Sequence, residues 1–275
     1  MVDLLVVVAH PDDEVFVAGL LARMVSDGKH VAVITLTLGK AGRTLGLCNQ
    51  DKLSQVRENE FRAALGMLGV NNVYTFNYPD FVIASDRGLL AHIGLRADFR
   101  DAAFDLTSLI EELMPNTVIT FPPNGLNGHP DHVITHQIVH NALELAYWQP
   151  GHLYYFATST LYVESPKPGF LSSRELRNLS LPPTHLVRIG THFENKLRAM
   201  ACHKTQALSI LSLLGQFPGI LQIELLSCAL TSKVRADVLQ SFTETMAEKS
   251  SGTLSQETPS LALPLAREFA LTGDT

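Results

Sequence analysis

Hydrophobic positions divide the first half of the chain into alternating strand and helix patterns. The run from Asp3 to Ala9 is almost continuously apolar and rich in Val, which is typical of a strand buried on both faces of a parallel sheet. Similar runs predict further strands at 30–38, 72–76 and 117–121. Apolar residues at helical spacing predict helices from the end of the first strand to about Asp27, and at 53–68, 97–113 and 129–147.

This alternation predicts an α/β fold with a Rossmann-like, mostly parallel sheet flanked by helices and connected by right-handed crossovers. Beyond Pro150 the pattern weakens. There it favours edge strands at 153–156 and 186–189, a helix at 193–214 and a solvated loop at 249–260. A Pro- and Ser-rich excursion within 158–185 is long enough to form a lid or flap. Because neither a repeat nor a linker is visible, a single domain spanning 1–275 is expected.

Composition excludes several classes of protein. The formal charge of −6 argues against a nucleic-acid-binding protein, which needs a basic face, and 46% hydrophobic residues argue against a disordered chain. No apolar run is long enough to span a bilayer, and the N-terminus lacks a secretory pattern, so a cytoplasmic enzyme without a membrane span is expected. Whether it forms a homo-oligomer is left open.

The three cysteines are far apart and form no CxxC pair, so they predict neither a disulfide framework nor a thiolate metal site. A metal ion would have to use His and carboxylate ligands, of which the chain has 11 His and 27 Asp or Glu.

The first candidate constellation, His10 to Glu14, follows the first predicted strand. The carboxyl ends of parallel strands are where ligands bind in open α/β sheets. Because successive residues at such a turn point in different directions, one of Asp12 and Asp13 can bind a metal with His10 while the other faces a metal-bound water. The alternative interpretation is a helix start, since Pro and acidic residues are favoured there.

The second constellation, Gly128 to His132, follows the fourth predicted strand, and His129 and His132 share a helix face. A Pro-Asp helix start is again the alternative. Two His-Pro-Asp motifs at equivalent turns of one sheet nevertheless favour a metal site. His10, one Asp of the first motif and His132 give two imidazoles and a carboxylate, which is the pattern of a catalytic zinc site with an open position. The same set also suits Fe2+.

These residues resemble the LmbE-like, or PIG-L, family of zinc-dependent de-N-acetylases, which act on N-acetylglucosamine conjugates. The two His-Pro-Asp motifs carry the resemblance. Weaker similarity extends to Arg57–Phe61, Leu68–Val70, Tyr78–Asp80 and Lys196–Gln206.

The resemblance implies that His10, Asp13 and His132 are the metal ligands. It implies that Asp12 is the general base and later the acid, and that His129 stabilises the oxyanion.

Three further roles come from the same resemblance. Asp131 would hold His129 in orientation, while Arg57 and Asp80 would contact the sugar of a small amino-sugar conjugate. Two positions depart from the family pattern. Mycothiol-type members have Tyr at the position of Asn127, and many relatives have Glu at the position of Lys40. The first departure leaves open both an extra oxyanion donor and mycothiol chemistry.

The leading hypothesis is therefore a zinc-dependent hydrolase that removes the N-acetyl group from an N-acetylglucosamine-containing small molecule. An amidase for another N-acyl amide, and a non-catalytic sugar- or nucleotide-binding module, are the alternatives. His136, His140 and His203 are assigned no role, and packed histidines are expected at the first two.

Overall fold

In the part of the chain that the structure describes, the strands form one eight-stranded sheet in the order β3-β2-β1-β4-β5-β7-β6-β8. The structure is a computed structural model that describes residues 1–82, 94–161, 167–232 and 234–246. The strands are β1 (Leu4–Val8), β2 (Val31–Thr37), β3 (Asn72–Tyr78), β4 (Thr117–Thr120), β5 (His152–Ala157), β6 (His185–Arg188), β7 (Ile223–Thr231) and β8 (Glu244–Thr245). The helices are α1 (Ala18–Ser26), α2 (Leu53–Met67), α3 (Phe99–Leu113), α4 (Gly125–Gly128), α5 (Pro130–Leu145), α6 (Ser173–Asn178), α7 (Phe193–Cys202) and α8 (Ala207–Gln216).

Strands β1 to β5 are parallel, and the central strand β1 is completely buried. Side chains alternate along it, so Val6 and Val8 pack with α1, α2 and α7 on one face. Val7 packs with α3 and α5 on the other face. Each buried Val stabilises the fold by roughly 1.5–3 kcal/mol. The Val-rich run therefore forms a strand covered by helices on both faces, as expected, and the predicted α/β fold is confirmed.

The C-terminal half of the sheet differs from the prediction. Strand β7 was not predicted, and it pairs antiparallel with both β5 and β6. Neither of those strands is therefore an edge, since β5 lies between β4 and β7, and β6 lies between β7 and β8. Residues 207–231 are rich in Leu and Ile, but Ser, Gly, Gln and Pro break them into short apolar runs. Short apolar runs of this kind have no periodicity that separates a strand from a buried helix.

Two predicted helices also have different bounds. The helix predicted at 193–214 is two helices, α7 and α8, separated by a 3-10 turn at Lys204–Gln206. Thr205 in that turn donates hydrogen bonds from its backbone N–H and its hydroxyl to Glu60 of α2. These bonds hold the backbone out of a continuous helix. The first helix begins only at Ala18, after a 3-10 turn at Asp13–Phe16, so its first turn contains no acidic residue.

Both His-Pro-Asp motifs lie at one edge of the sheet. One follows β1 and the other follows β4, and these strands are parallel neighbours. Of the predicted excursion at 158–185, residues 162–166 lie outside the described part, as does the predicted loop at 249–260. Leu171 donates a backbone hydrogen bond to Gly128, so the segment that leads into α6 packs beside the second motif. Within the described ranges, no helix is long and apolar enough to cross a membrane.

Candidate metal centre and active site

Two histidines and one aspartate meet at the carboxyl edge of the sheet. Each of His10, Asp13 and His132 offers a ligand atom, and these atoms lie within 4.8 Å of one another. Nε2 of His132 lies 3.3 Å from Oδ1 of Asp13, and Nδ1 of His10 lies 3.5 Å from its Oδ2. All three residues are buried. The predicted ligands, which come from two motifs more than a hundred residues apart, are therefore brought together.

The second nitrogen of each imidazole has an oxygen partner. Nε2 of His10 lies 3.1 Å from Oδ2 of Asp131, and Nδ1 of His132 lies 3.0 Å from the backbone oxygen of Gly125. The ring of His132 also stacks on Phe121, with ring centroids 4.1 Å apart. Partners of this kind fix the orientation and tautomer of metal-binding imidazoles. The donor set and its surroundings thus fit a divalent cation.

The charges around this cluster favour a positive ion. Burial lowers the pKa of His10, but the hydrogen bonds and charges of Asp13 and Asp131 outweigh it and raise that pKa well above its usual range. Burial raises the pKa of the Asp13 carboxyl, while His132 and His10 outweigh it and hold that pKa well below its usual range. The carboxylates of Asp13 and Asp131 therefore stabilise positive charge next to His10, and a cation bound between the ligands would benefit from the same carboxylates.

Asp12 lies beside the cluster with an uncommon backbone conformation. Its φ of 109° and ψ of −17° fall in the left-handed region. Such a conformation costs a non-glycine residue about 1–3 kcal/mol and tends to occur at functional sites. Its Oδ1 accepts a hydrogen bond of 3.1 Å from Nη2 of Arg57. Burial raises the pKa of Asp12 to about 6 against the opposing charge of Arg57.

His129 caps the N-terminus of α5, where its Nδ1 accepts a 3.1 Å hydrogen bond from the backbone N–H of Asp131. The helix-start interpretation of the second motif is thus correct as local structure, and it coexists with the metal cluster. Burial, together with the charges of His132 and His10, lowers the pKa of His129 well below its usual range. The neutral ring must therefore carry its proton on Nε2, which makes that nitrogen a donor.

The Asp131 carboxylate has different hydrogen-bond partners from the one that the sequence predicts. Its Oδ2 bonds His10 and the backbone N–H of Phe81. Among the described hydrogen bonds, only the backbone of Asp131 reaches His129. The expected contact between the Asp131 carboxylate and His129 is therefore corrected, because that side chain points across the sheet edge toward the first motif.

A cavity of about 260 Å³ opens above these groups. Asp80 lies in its wall and accepts a 2.7 Å hydrogen bond from the backbone N–H of Ala41 through Oδ2. Its buried Oδ1 has no partner among the described residues. Arg57 also lines the cavity, but its Nη atoms are bonded to Gly39, Pro11 and Asp12. Both predicted sugar contacts therefore keep one unpartnered buried atom among the described residues, Oδ1 of Asp80 and Nε of Arg57, while the Nη atoms of Arg57 hold the loop and Asp12.

Comparison with known proteins identifies the family. The PIG-L family, described as GlcNAc-PI de-N-acetylase, matches residues 5–143, about half of the chain. The 1D-myo-inositol 2-acetamido-2-deoxy-alpha-D-glucopyranoside deacetylase of Mycobacteroides abscessus is 33% identical over 229 residues, which cover 74% of this chain and 81% of that protein. This chain belongs to the PIG-L family. The resemblance inferred from the two motifs is confirmed.

Solved structures show the same fold. The N,N'-diacetylchitobiose deacetylase of Pyrococcus horikoshii matches with a TM-score of 0.58 and 18% identity, over 83% of this chain and 84% of that chain. GalB, the 4-carboxy-2-hydroxymuconate hydratase of Pseudomonas putida, matches with a TM-score of 0.59 and 18% identity, over 86% and 99%. At this identity the likeness concerns the fold alone, and one fold can support different reactions.

Membership of the PIG-L family confirms the expectation of an enzyme, and the clustered His and Asp ligands agree with the metal dependence of this family. Two buried residues at the site were not predicted to act together. Glu14 and His203 form a 2.5 Å contact between Oε1 and Nε2, although they are 189 positions apart. The only sequence signal was the Lys196–Gln206 similarity, which does not say what His203 contacts.

Proposed function

We propose that this protein is a metal-dependent hydrolase that removes the N-acetyl group from an N-acetylglucosamine-containing small molecule. One observation carries the proposal. His10, Asp13 and His132 form a ligand cluster at the base of a cavity, with Asp12 and His129 beside it. Such an arrangement combines a cation site with an open side, a carboxylate base and a neutral imidazole donor.

His10, Asp13 and His132 would hold the cation, and we propose zinc, for which two imidazoles and one carboxylate form a typical catalytic set. Ferrous iron is the alternative that the same ligands accept. The bound cation would supply a water acidic enough to attack at neutral pH and a positive charge near the amide oxygen.

Asp12 is the proposed general base and acid. Its carboxylate takes a proton from the attacking water as the new carbon–oxygen bond forms. It then delivers that proton to the amide nitrogen, so the carbon–nitrogen bond breaks and acetate and a free amine leave. A pKa raised to about 6 by burial suits both steps near neutral pH, because the group then accepts and returns a proton readily.

His129 is the proposed oxyanion donor. With Nδ1 occupied by the backbone N–H of Asp131, the neutral ring presents Nε2–H as its donor. A donor fixed before the reaction stabilises the negative charge that develops on the substrate oxygen. Asn127 supports the same geometry, since its Oδ1 accepts a 3.0 Å hydrogen bond from the backbone N–H of His129.

Asp80 is the proposed sugar contact. Its unpartnered Oδ1 is a buried acceptor in the cavity wall, which a sugar hydroxyl would satisfy. The aromatic rings of Phe81 and Phe170 flank His129, with centroids 6.3 and 4.9 Å from its ring. They provide flat apolar surfaces next to the polar groups. This combination fits a sugar, whose faces are apolar and whose edges are polar.

The test has a metal arm and an activity arm. Elemental analysis should find about one zinc or iron per chain in the wild type and little in His132→Ala. The wild type should release free amine from some members of a panel of N-acetylglucosamine conjugates, and chelation should abolish that release. His136→Ala is the matched control, because His136 lies one turn further along α5 and its Nδ1 bonds the backbone oxygen of Phe121. It should retain both metal and activity.

Other outcomes point to the alternatives. If the protein binds metal and releases amine from another N-acyl amide but from no acetylated sugar, it is an amidase with a different substrate. No metal in the wild type after reconstitution would refute the hydrolase and favour a binding module.

A further inference from the structure

The backbone of Asp12 is held by a neighbour that does not line the cavity. The N–H of Asp12 donates a 3.0 Å hydrogen bond to Oε2 of Glu14. Glu14 is fully buried and does not belong to the cavity wall formed by Asp12, Asp13 and His10. The other carboxylate oxygen of Glu14, Oε1, contacts a second residue inside the protein.

That partner is His203, whose Nε2 lies 2.5 Å from Oε1 of Glu14, and both side chains are completely buried. His203 stands at the end of α7, immediately before the 3-10 turn whose Thr205 is bonded to Glu60. The imidazole is thus anchored to α2 through its own turn. It contacts Oε1 of Glu14, whereas the backbone N–H of Asp12 is bonded to Oε2.

The same helix α2 holds the other end of Asp12. Arg57 donates to Oδ1 of Asp12 and to the backbone oxygen of Pro11. Arg57 and Glu60 share one face of α2, since they are three residues apart. The backbone N–H and the carboxylate of Asp12 are therefore both tied to α2, the first through Glu14 and His203.

We propose that Glu14 and His203 are positioning residues that hold Asp12 in its left-handed conformation and so keep its carboxylate in the cavity, next to Arg57. This inference rests on the proposed role of Asp12 as general base. An aspartate with ordinary backbone angles would turn its side chain elsewhere, and misplacement by about 1 Å can reduce a rate roughly 100-fold. Neither residue lines the cavity, so the proposed effect of the pair on the reaction passes through the hydrogen bond to Asp12.

The chain contains a matched control for a purely structural pair. Nζ of Lys196 lies 2.7 Å from Oε1 of Glu224, and both side chains are completely buried. Glu224 also accepts hydrogen bonds from the backbone N–H groups of Gly19 and Leu20 at the start of α1. This second ion pair is as buried as the first, and none of its hydrogen bonds within the described part of the chain reaches the candidate active site.

The experiment compares Glu14→Ala, Glu14→Gln and Glu224→Gln with the wild type. Glu14→Ala should retain about one metal per chain and lower kcat by roughly 10- to 100-fold, with little change in KM. Glu14→Gln should recover most of kcat, because its amide oxygen still accepts the Asp12 N–H. Glu224→Gln should lower Tm but leave kcat within about two-fold. A Glu14→Ala protein that matches Glu224→Gln in both Tm and kcat would overturn the proposal.

A crystal structure of metal-free Glu14→Ala supplies a readout that does not depend on activity. The φ of Asp12 should leave the left-handed region, and a φ that stays near 109° would overturn the proposal. This measurement separates the two proposals. If the wild type hydrolyses no acetylated substrate, the proposed function is refuted, but the φ of Asp12 in Glu14→Ala still shows whether Glu14 holds the backbone of Asp12. If Glu14→Ala does not fold, His203→Gln, which keeps an N–H donor, and His203→Ala replace it, with kcat expected to fall only in the second.

Discussion

Nη2 of Arg57 lies 3.1 Å from Oδ1 of Asp12, and the side chains are 5% and 16% exposed. A largely buried guanidinium next to a largely buried carboxylate keeps the charged form of that carboxylate available. Arg57 therefore helps to position the proposed base and lowers its pKa, although burial has the larger effect and raises it. The sequence had suggested only a sugar contact for this residue.

The acid limb of kcat/KM should move when Arg57 is replaced. Burial raises the pKa of Asp12 to about 6, and the charge of Arg57 lowers it. The base is active when ionised, so activity should rise with pH, and the positive charge of the bound cation should place this limb below about 6 in the wild type. Arg57→Met removes the lowering charge, so its limb should lie at higher pH, as a pH profile of kcat/KM would measure. An unchanged limb would exclude Asp12 as the titrating base.

Asp12→Asn and Asp13→Ala should separate the two carboxylates. Asp12→Asn should retain the metal and lower kcat by about 10²–10⁴-fold, because it removes only the proton acceptor. Asp13→Ala should lose the metal, since one of three ligand side chains is missing. Metal analysis and amine-release rates on both variants test this. Loss of metal from Asp12→Asn would reverse the assignment of the two residues.

Asp131→Ala should weaken metal binding by about 10–100-fold, the range typical of lost partners of metal ligands. Its Oδ2 fixes the His10 ring, and removal of the carboxylate leaves Nε2 of His10 without that bond. Competition with a chromophoric chelator would measure the affinity. Asp131→Asn is the control, because its amide oxygen can still accept from His10. A lower kcat with unchanged affinity in Asp131→Ala would instead support a role through His129.

Gly39→Ala should reduce activity by displacing Arg57. Gly39 has a φ of 65°, and an added Cβ would lie 1.9 Å from Nη1 of Arg57. Gly28 is the matched control, since its φ is 74° but no atom lies within 4 Å of its added Cβ. Both alanine variants should lose about 1–2 kcal/mol of stability from the left-handed backbone alone. Only Gly39→Ala should also lower kcat, which thermal unfolding and amine-release assays together would establish.

Much of the fold could be predicted because, in the first half of the chain, the pattern of apolar residues matches the faces that are buried in the structure. The first strand is apolar at every position and has helices on both faces, so its sequence alone indicates a central parallel strand. The region 207–231 is also rich in Leu and Ile, yet it contains a helix, a turn and a strand. Its structure depends on which partners bury each segment, and a single run of apolar residues does not encode this.

The sequence by itself determined the family, the α/β sheet and the proximity of the two His-Pro-Asp motifs. Each motif follows a predicted strand, and parallel strands bring the residues at their carboxyl ends to one sheet edge. Tertiary structure decided the partners of those residues. It placed Asp131 against His10, tied Arg57 to Asp12 and buried Glu14 against His203. These contacts join residues 45 to 189 positions apart. They depend on side-chain directions that are fixed only when the helices and strands pack together. The spacing of residues within a motif predicts only the local turn.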